Sequence, residues 1–375
     1  MALVSCSFQS NASVDSLPAL DASTLDSSIV DSPIIDASNL FIADHVGVIP
    51  QAKLSTSFTV PAGDHNIDTT DPGGLLGLQI VAQEGGGPQL AVGYFDELTI
   101  TGNLFVFGTR PLVLIANKIT LTGDVNASAA ALEPGPGGGK PDSTDLDTGG
   151  NGESAANLND DSGGGGGGFG SPGAIGGKVG ATNAGVAGVA DALPQVPTLR
   201  GGGAGGAASR CMAAVGGGGA VQLSARLTLQ IKGVIQATGG GGRGGAFCGA
   251  LDAGSGGGAG GAIFLQAPSI TMTGSLFANG GGGGAGAGPT TVPATDNAPT
   301  GADGVAARQV APGGVSINGD RNGGNGAAFN GTLLIQASPG GTTTNGGGGG
   351  GGVGRIVIHG SFTGTRVFSP EPVFF

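Results

Sequence analysis

The 375-residue chain contains no tryptophan, one tyrosine and three cysteines, and only 11% of its residues are charged. Lysine and arginine number 14 against 26 aspartates and glutamates, which gives a formal net charge of −12. This balance argues against nucleic acid and anionic membranes as partners, because lysine and arginine carry the contacts with phosphate. We also expect no transmembrane span.

Motifs that would support catalysis are scarce. The histidines His45, His65 and His359 lie far apart and have no paired metal-ligand spacing. No G-x-S-x-G nucleophile motif is present. Matches to G-x-G-x-x-G abound, but a chain with 84 glycines produces them by chance. We therefore expect no catalytic residues and no enzymatic activity.

One catalytic alternative remains, a polysaccharide-acting β-helix enzyme. Such an enzyme needs clustered carboxylates on one face, and Asp96, Glu97 and Asp124 could neighbour one another if their segments stack. Arg110 and Lys118 are the only basic residues nearby in the sequence. The sparse bases disfavour this alternative.

Glycine is the residue that the chain has in excess. Each glycine inside a helix costs about 0.5 to 1 kcal/mol relative to alanine, so this composition rules out an ordinary helical domain. Unbroken tracts run from Gly163 to Gly168 and from Gly346 to Gly352. They lack the strict G-X-Y spacing of collagen.

The N-terminal residues resemble a lipoprotein signal. Leu3-Val4-Ser5-Cys6 has lipobox spacing, in which a small residue precedes the cysteine that becomes acylated. We interpret residues 1–6 as the remnant of such a signal and Cys6 as the lipid attachment site. Residues 7–45, rich in Asp, Ser and Ala, predict a polar tether, with a short pentapeptide-repeat coil as the alternative.

A repeat begins beyond the tether. Alternating apolar and threonine residues lead to a glycine and a second short strand in DELTITGNLFVFG (96–108), NKITLTGDVNASA (117–129), RLTLQIKGVIQATG (226–239) and PSITMTGSLFANG (268–280). The strands before them also align: PLVLIANK at 111, AVQLSARL at 220, AIFLQAPS at 262 and TLLIQASP at 332. Units this short must stack to bury their apolar side chains.

The repeat predicts an all-β fold, a parallel β-helix-like β-solenoid. Residues 46–130 form its N-terminal part, and residues 131–375 contain rungs interleaved with glycine-rich insertions. The insertions are either flexible loops or a polyglycine-II bundle, in which extended threefold chains hydrogen-bond laterally. Alanine, valine and phenylalanine interrupt the tracts more often than polar residues do, which favours the bundle.

Two candidate binding features occur in the insertions. Cys211 and Cys248 remain as a pair once Cys6 is assigned to the lipid, and they are either a disulfide or two free buried thiols. The acidic stretch at 142–161 suits calcium or is simply a solvated loop. The candidate ligands are Asp145, Asp147, Glu153, Asp160 and Asp161.

The chain resembles two groups of proteins. Its glycine tracts resemble the polyglycine-II tips of some tailed-phage adhesins. The whole resembles glycine-rich bacterial envelope lipoproteins, on Cys6, the tether to Asp44, the strand Pro111 to Ala116 and the tract Gly163 to Gly170. The resemblance implies a location at the outer-membrane surface or outside the cell, and no transferable activity.

From these features we expect a non-catalytic, surface-anchored structural or adhesive protein whose insertions form a contact surface. A glycan-binding module is a second hypothesis. Its weakness is that sugar stacking uses aromatic faces, and aromatic residues are only 4% of this chain. The partner itself, a surface or a glycan, does not follow from the sequence.

Overall fold

Strands that pair mainly in parallel make up most of the regular structure in the described residues. The computed structural model describes residues 40–71, 73–130, 132–141, 148–154, 160–193, 195–288, 298–365 and 367–375, which all belong to one compact unit, Leu40–Phe375. The only helical element in these ranges is a single 3-10 turn, Gln51–Lys53. The all-β prediction is therefore confirmed.

The strands are β1 Phe41–Ala43, β2 Gly47–Ile49, β3 Phe58–Val60, β4 Asp64–Asp68, β5 Gln79–Val81, β6 Leu90–Ile100, β7 Asn103–Phe107, β8 Leu112–Leu121 and β9 Val125–Asn126. They continue with β10 Ala220–Ile231, β11 Val234–Gln236, β12 Ala262–Met272, β13 Ser275–Phe277, β14 Ala328–Phe329, β15 Leu334–Ile335, β16 Arg355–Gly364, β17 Phe368–Ser369 and β18 Val373–Phe374. Strand β1 uses the last residues of the predicted tether.

The chain forms two parallel sheets from repeated strand pairs. In each pair, a strand of the first sheet is followed directly by a short strand of the second sheet. The first sheet has the order β18-β16-β12-β10-β8-β6-β3, with β5 added antiparallel to β6. The second sheet has the order β17-β13-β11-β9-β7-β4. Successive strand pairs are therefore neighbours in both sheets, as the repeat alignment predicts.

The register follows the sequence alignment residue by residue. Leu98 pairs with Ile119, Ile119 with Leu229, and Leu229 with Ile270. These positions point between the two sheets and are almost fully buried. Burial of each such side chain contributes about 1.5 to 3 kcal/mol, so the ladder supplies much of the core.

The first sheet has a second buried face along the first half of its strands. Leu112 to Ala116 are all buried, whereas burial alternates from Asn117 onward. The reason is that a second cluster, which includes Val113 and Ile115, packs against Phe169, Leu199 and the β1–β2 hairpin. Strands covered on both faces read as continuous apolar runs, which explains PLVLIA.

Glycine is required where the strand pairs turn. A Cβ atom on Gly123 would lie 2.1 Å from the carbonyl oxygen of Gly102, and one on Gly274 would lie 1.9 Å from that of Gly233. Because both partners are backbone atoms, no side-chain rearrangement can relieve the overlap. The glycine in each repeat therefore allows successive turns to stack closely.

One predicted strand start is wrong. The segment TLLIQASP was aligned with the other long strands, but its β15 pairs antiparallel with β14 in a separate two-stranded sheet. Leu333, Leu334 and Ile335 are exposed. The place beside β12 belongs to β16, whose Ile356, Ile358 and Phe362 continue the inward ladders.

The glycine-rich segments form a hydrogen-bonded assembly, here called the glycine bundle. It comprises the described parts of 132–219, 239–261, 280–327 and 336–354, which leave a short strand and return to a later long strand. Its backbone N–H groups donate mainly to carbonyl groups of other glycine-rich segments. Two of its tracts, 163–168 and 281–286, lie inside it and are surrounded by other segments.

The tract 163–168 has a three-residue hydrogen-bond period. The N–H groups of Gly163 and Gly166 donate to the carbonyls of Gly177 and Ala174, and those of Gly164 and Gly167 donate to the carbonyls of Gly254 and Gly257. The N–H of Gly165 donates to the Gly150 carbonyl, and all five distances are 2.8 to 3.0 Å. Residues three apart thus donate to the same neighbouring segment. Its carbonyl groups accept bonds from segments containing Gly185, Gly349 and Gly206. The tract is therefore hydrogen-bonded to six neighbouring segments.

Candidate functional site

Two outer segments of the bundle present an apolar face, defined by Ile175, Val186 and Val189. The N–H of Gly176 donates to the Gly185 carbonyl and that of Gly173 to the Gly188 carbonyl, both at 3.0 Å, so the two segments are antiparallel neighbours. Exposure recurs every third residue in each segment. The three aliphatic side chains are 53%, 67% and 50% exposed.

This exposure follows from the same geometry that packs the interior. In a threefold chain, every third residue points in one direction. Positions that face neighbouring segments have no room for a Cβ: one on Gly166 would lie 1.9 Å from the Gly350 carbonyl oxygen. Ile175, Val186 and Val189 occupy positions that point out of the bundle, so they are exposed on a hydrogen-bonded support.

The predicted cysteine pair lies at the tips of two glycine-rich loops. Cys211 and Cys248 are brought to disulfide-bonding distance, with their Cα atoms 6.4 Å apart. Among the described residues, their sulfur atoms and a carboxylate oxygen of Asp252 lie within 4.8 Å of one another. Two sulfur atoms and a carboxylate oxygen at this spacing could in principle bind a metal ion.

The carboxylate of Asp252 is already hydrogen-bonded to the protein, which argues against a metal ion there. This fully buried carboxylate accepts bonds from the backbone N–H groups of Arg210, Cys211, Met212 and Ala253, and from the Ser209 hydroxyl, at 2.8 to 3.1 Å. Five protein donors occupy the lone pairs that a metal ion would need. The arrangement is that of a loop held closed by a carboxylate beside a cysteine pair. The sequence offers no local signal for this role.

The predicted calcium ligands lie partly outside the described residues, because Asp145 and Asp147 fall there. Asp161 is fully buried and forms a bidentate ion pair with Arg210, whose Nη2 donates to Asp161 Oδ1 at 3.0 Å. The hydrogen bond with Asp161 raises the pKa of the Arg210 guanidinium. Glu153 Oε2 accepts the Asn183 N–H at 2.7 Å, and the Asp160 carbonyl accepts the Thr182 hydroxyl at 3.2 Å.

The calcium site remains a prediction. Glu153 and Asp161 lie on adjacent segments, since the Ser162 N–H donates to the Glu153 carbonyl at 3.0 Å. Their carboxylates nevertheless make hydrogen bonds or ion pairs with the protein itself.

The carboxylates of the enzyme alternative also contact protein groups. Asp96 Oδ1 accepts a bond from Asn117 Nδ2 at 2.7 Å, and Glu97 forms an exposed ion pair with Lys118 at 2.7 Å. The carboxylate of Asp124 lies at the turn after β8 and accepts the Val234 N–H at 2.7 Å. Adjacent strands bring Asp96 and Glu97 beside Asn117 and Lys118, as their alignment predicts.

His45 and His359, which have no paired spacing in the sequence, line one cavity of about 320 Å³ together with Asp44 and Phe264. His359 Nδ1 lies 2.7 Å from Asp44 Oδ2. The buried ring of His45 lies between Gln222 Oε1 and the Val196 carbonyl oxygen, each 2.6 Å from a ring nitrogen. These contacts fasten the β1–β2 hairpin to the first sheet. The ring of the third histidine, His65, lies apart from these two, with its Nε2 3.0 Å from the Pro61 carbonyl oxygen.

A second cavity, of about 240 Å³, lies between β16 and β18 of the first sheet and the β14–β15 hairpin. Phe329, Ile356 and Val373 line it together with Arg355. Burial lowers the pKa of the Arg355 guanidinium, as does the charge of Arg200, while Asp191 opposes both. The Nη2 of Arg355 donates to the Asp191 carbonyl.

No protein-family model, curated protein or solved structure matches this chain. None of the helical structure in the described residues is long and apolar enough to cross a membrane. Cys6, the predicted lipid attachment site, lies outside the described residues.

Proposed function

We propose that this chain is a non-catalytic, surface-anchored structural or adhesive protein. Its stacked strand pairs form a β-solenoid, and its glycine-rich segments form a polyglycine-II bundle whose apolar face is the contact surface. The observation that carries this proposal is the three-residue hydrogen-bond period within a tract bonded to six neighbouring segments. That period is the one expected of extended threefold chains.

The bundle is a suitable base for a contact surface because hydrogen bonds between its segments hold the exposed side chains in place. Buried backbone donors and acceptors that find partners cost little, whereas unpaired ones would destabilise the assembly. Phe169 ends the tract 163–168 and is fully buried in the apolar cluster on the first sheet. The bundle is therefore attached to the solenoid through side-chain packing as well as through its chain connections.

The apolar face gives this proposal its test. We expect the Ile175→Ser/Val186→Ser/Val189→Ser variant to reduce adsorption of the full chain to an alkyl-coated surface by about tenfold, because clustered exposed aliphatic residues mark contact surfaces. A quartz microbalance measures adsorption on alkyl-coated and bare silica. The control replaces Ile42, Val48 and Leu227, which are exposed but lie outside the bundle. Equal losses in both variants would contradict a contact surface on the bundle.

Anchoring through Cys6 has a separate test. When a bacterial host expresses the chain behind a complete lipoprotein signal, we expect radiolabelled palmitate to enter the wild type and not the Cys6→Ala variant. The reason is that acylation requires the cysteine of the lipobox. Cys211→Ser serves as the control and should keep its label. A labelled Cys6→Ala protein would exclude this anchor.

A further inference from the structure

The outer face of the second sheet carries two exposed aromatic rings. Along β7, Leu104 and Val106 point inward and are buried, whereas Phe105 and Phe107 point outward and are 40% and 47% exposed. Alternate residues of a strand lie on one face about 6.8 Å apart. The two rings therefore stand side by side in solvent.

A covered phenylalanine occupies the same ladder farther along this face. Phe105 pairs with Asn126, Asn126 with Gln236, and Gln236 with Phe277. Phe277 is only 5% exposed. The neighbouring Asn279 holds a bundle segment nearby, because its Nδ2 donates to the carbonyls of Val305 and Ala307 at 2.7 Å. The bundle thus covers one end of the face and leaves the other end open.

Polar side chains flank the exposed rings on both neighbouring strands. On β4, Asn66 pairs with Phe105 and Asp68 with Phe107, and all three outward residues of that strand are exposed. On the other side lie Asp124, Asn126 and Ser128, which are half-buried. Two aromatic rings are thus bordered by amides, a hydroxyl and carboxylates.

The face has negative charge that nearby cations do not neutralise. The carboxylates of Asp64, Asp68 and Asp124 accept bonds from neutral donors, Asn103 Nδ2, the Thr70 N–H and the Val234 N–H, at 2.7 to 2.9 Å. Among the described residues none of the three forms an ion pair. The nearby Arg110 donates to the Thr70 carbonyl at 2.6 Å instead.

We propose that Phe105 and Phe107 form a platform for an extended polymer of amino sugars. A sugar ring has a C–H face that packs on an aromatic ring and a rim of hydroxyls that amides and carboxylates bind. Its protonated amines complement the carboxylates and gain cation–π attraction from the phenyl rings. An acidic glycan would be repelled by this face.

A cationic peptide is the competing partner, and the sheet geometry disfavours it. Peptides commonly bind sheets by pairing with a free strand edge. Here β7 lies between β4 and β9 and already pairs with both. The platform consequently offers side chains and no free backbone, which suits a ligand recognised by its ring faces and hydroxyls.

The test uses the full chain and the glucosamine hexamer, followed by isothermal titration calorimetry. We expect binding that Phe105→Ala/Phe107→Ala weakens by about tenfold or more, since such anchors dominate binding energies. Both rings point away from the core, and far-ultraviolet circular dichroism checks that the fold persists. Leu227→Ala, an exposed apolar residue in the first sheet, is the matched control and should bind normally. Unchanged affinity in the double phenylalanine variant would overturn the proposal.

The carboxylates of the platform provide a second test of the proposal. We expect Asp64→Asn/Asp68→Asn to weaken binding of the glucosamine hexamer about threefold to tenfold and to reduce its salt dependence. The neutral N-acetylglucosamine hexamer should bind more weakly than the amine form. Equal affinity for both hexamers, or binding of hexalysine in place of the glucosamine hexamer, overturns the assignment to amino sugars. This platform is separate from the bundle face, so loss of one leaves the other testable.

Discussion

Replacing Gly166 by alanine is expected to lower the free energy of unfolding by on the order of 3 kcal/mol or more. The new Cβ would lie 1.9 Å from the carbonyl oxygen of Gly350. The oxygen is part of one backbone and the Cβ is fixed to the other, and both backbones are held by hydrogen bonds to several segments, so neither atom can move alone. Relief requires separating two segments of the bundle, which also breaks the bonds that Gly166 makes with Ala174 and Gly188.

Val189→Ala is the matched control. It changes one side chain in the same bundle, but this side chain is 50% exposed and points away from the neighbouring segments. Substitutions at such positions usually change stability by less than about 0.5 kcal/mol. Urea denaturation of both variants and of the wild type measures the difference.

Amide hydrogen exchange resolves where the effect arises. In the wild type, peptides covering 163–168 and 281–286 should exchange slowly, because their N–H groups are hydrogen-bonded and buried. In Gly166→Ala, exchange should accelerate across the first tract and its neighbours while the strand pairs stay protected. Wild-type tracts that exchange at the rate of free peptides would exclude an ordered bundle, and a silent Gly166→Ala would exclude close packing there.

The parallel architecture was predictable because each repeat contains the residues that fix the register of its strands. The glycine between the two strands of a pair, and the apolar residues on either side of it, align Leu98 with Ile119 and Leu229 despite the long segment between β9 and β10. An inserted segment does not alter the pattern that fixes register within a strand. The order β6-β8-β10-β12 in the first sheet and β7-β9-β11-β13 in the second follows from that pattern.

The misassigned TLLIQASP segment shows where local pattern is insufficient. It has the apolar run of a long strand, but the edge of β12 can accept only one partner. Arg355–Gly364 pairs with β12 across its whole length and continues into β17, which extends the second sheet. TLLIQASP is followed by GGTTTN and supplies no second strand.

Side-chain networks between distant segments were not predictable either. Asp44 and His359 are 315 positions apart and meet only because the hairpin folds onto the first sheet. Asp252 likewise has no motif around it, since four of its five donors lie on a loop about forty residues earlier. Such contacts depend on how the segments pack, and no spacing in one sequence encodes them.

The isosteric change Asp252→Asn is expected to destabilise the protein by about 3 to 5 kcal/mol, although it preserves size and shape. In the wild type, Oδ2 accepts the N–H groups of Cys211 and Met212, and Oδ1 accepts those of Arg210 and Ala253 together with the Ser209 hydroxyl. The asparagine amide would place N–H₂ against two or three of these donors. Either orientation leaves buried backbone donors without acceptors.

Removal of the charge adds to this cost. Asp252 interacts favourably with the nearby Arg210, an interaction that raises the pKa of its guanidinium further. The same loop contains Cys211, so its opening should expose the cysteine pair. We therefore expect dithiothreitol to reduce Cys211 and Cys248 at least about tenfold faster in Asp252→Asn than in the wild type, because reduction depends on access to the sulfur.

Ser209→Ala separates the carboxylate from its single hydroxyl partner. It removes one of five hydrogen bonds and leaves the charge and the four backbone contacts, so the expected loss is about 1 kcal/mol. Urea denaturation gives the loss of stability of each variant, and iodoacetamide alkylation of timed samples, read by mass spectrometry, gives the rate at which Cys211 and Cys248 are reduced. If Asp252→Asn matched Ser209→Ala in both, the carboxylate would not be what holds the loop. A large loss in Asp252→Asn alone would make the closure of this loop a property of one buried charge that accepts backbone hydrogen bonds.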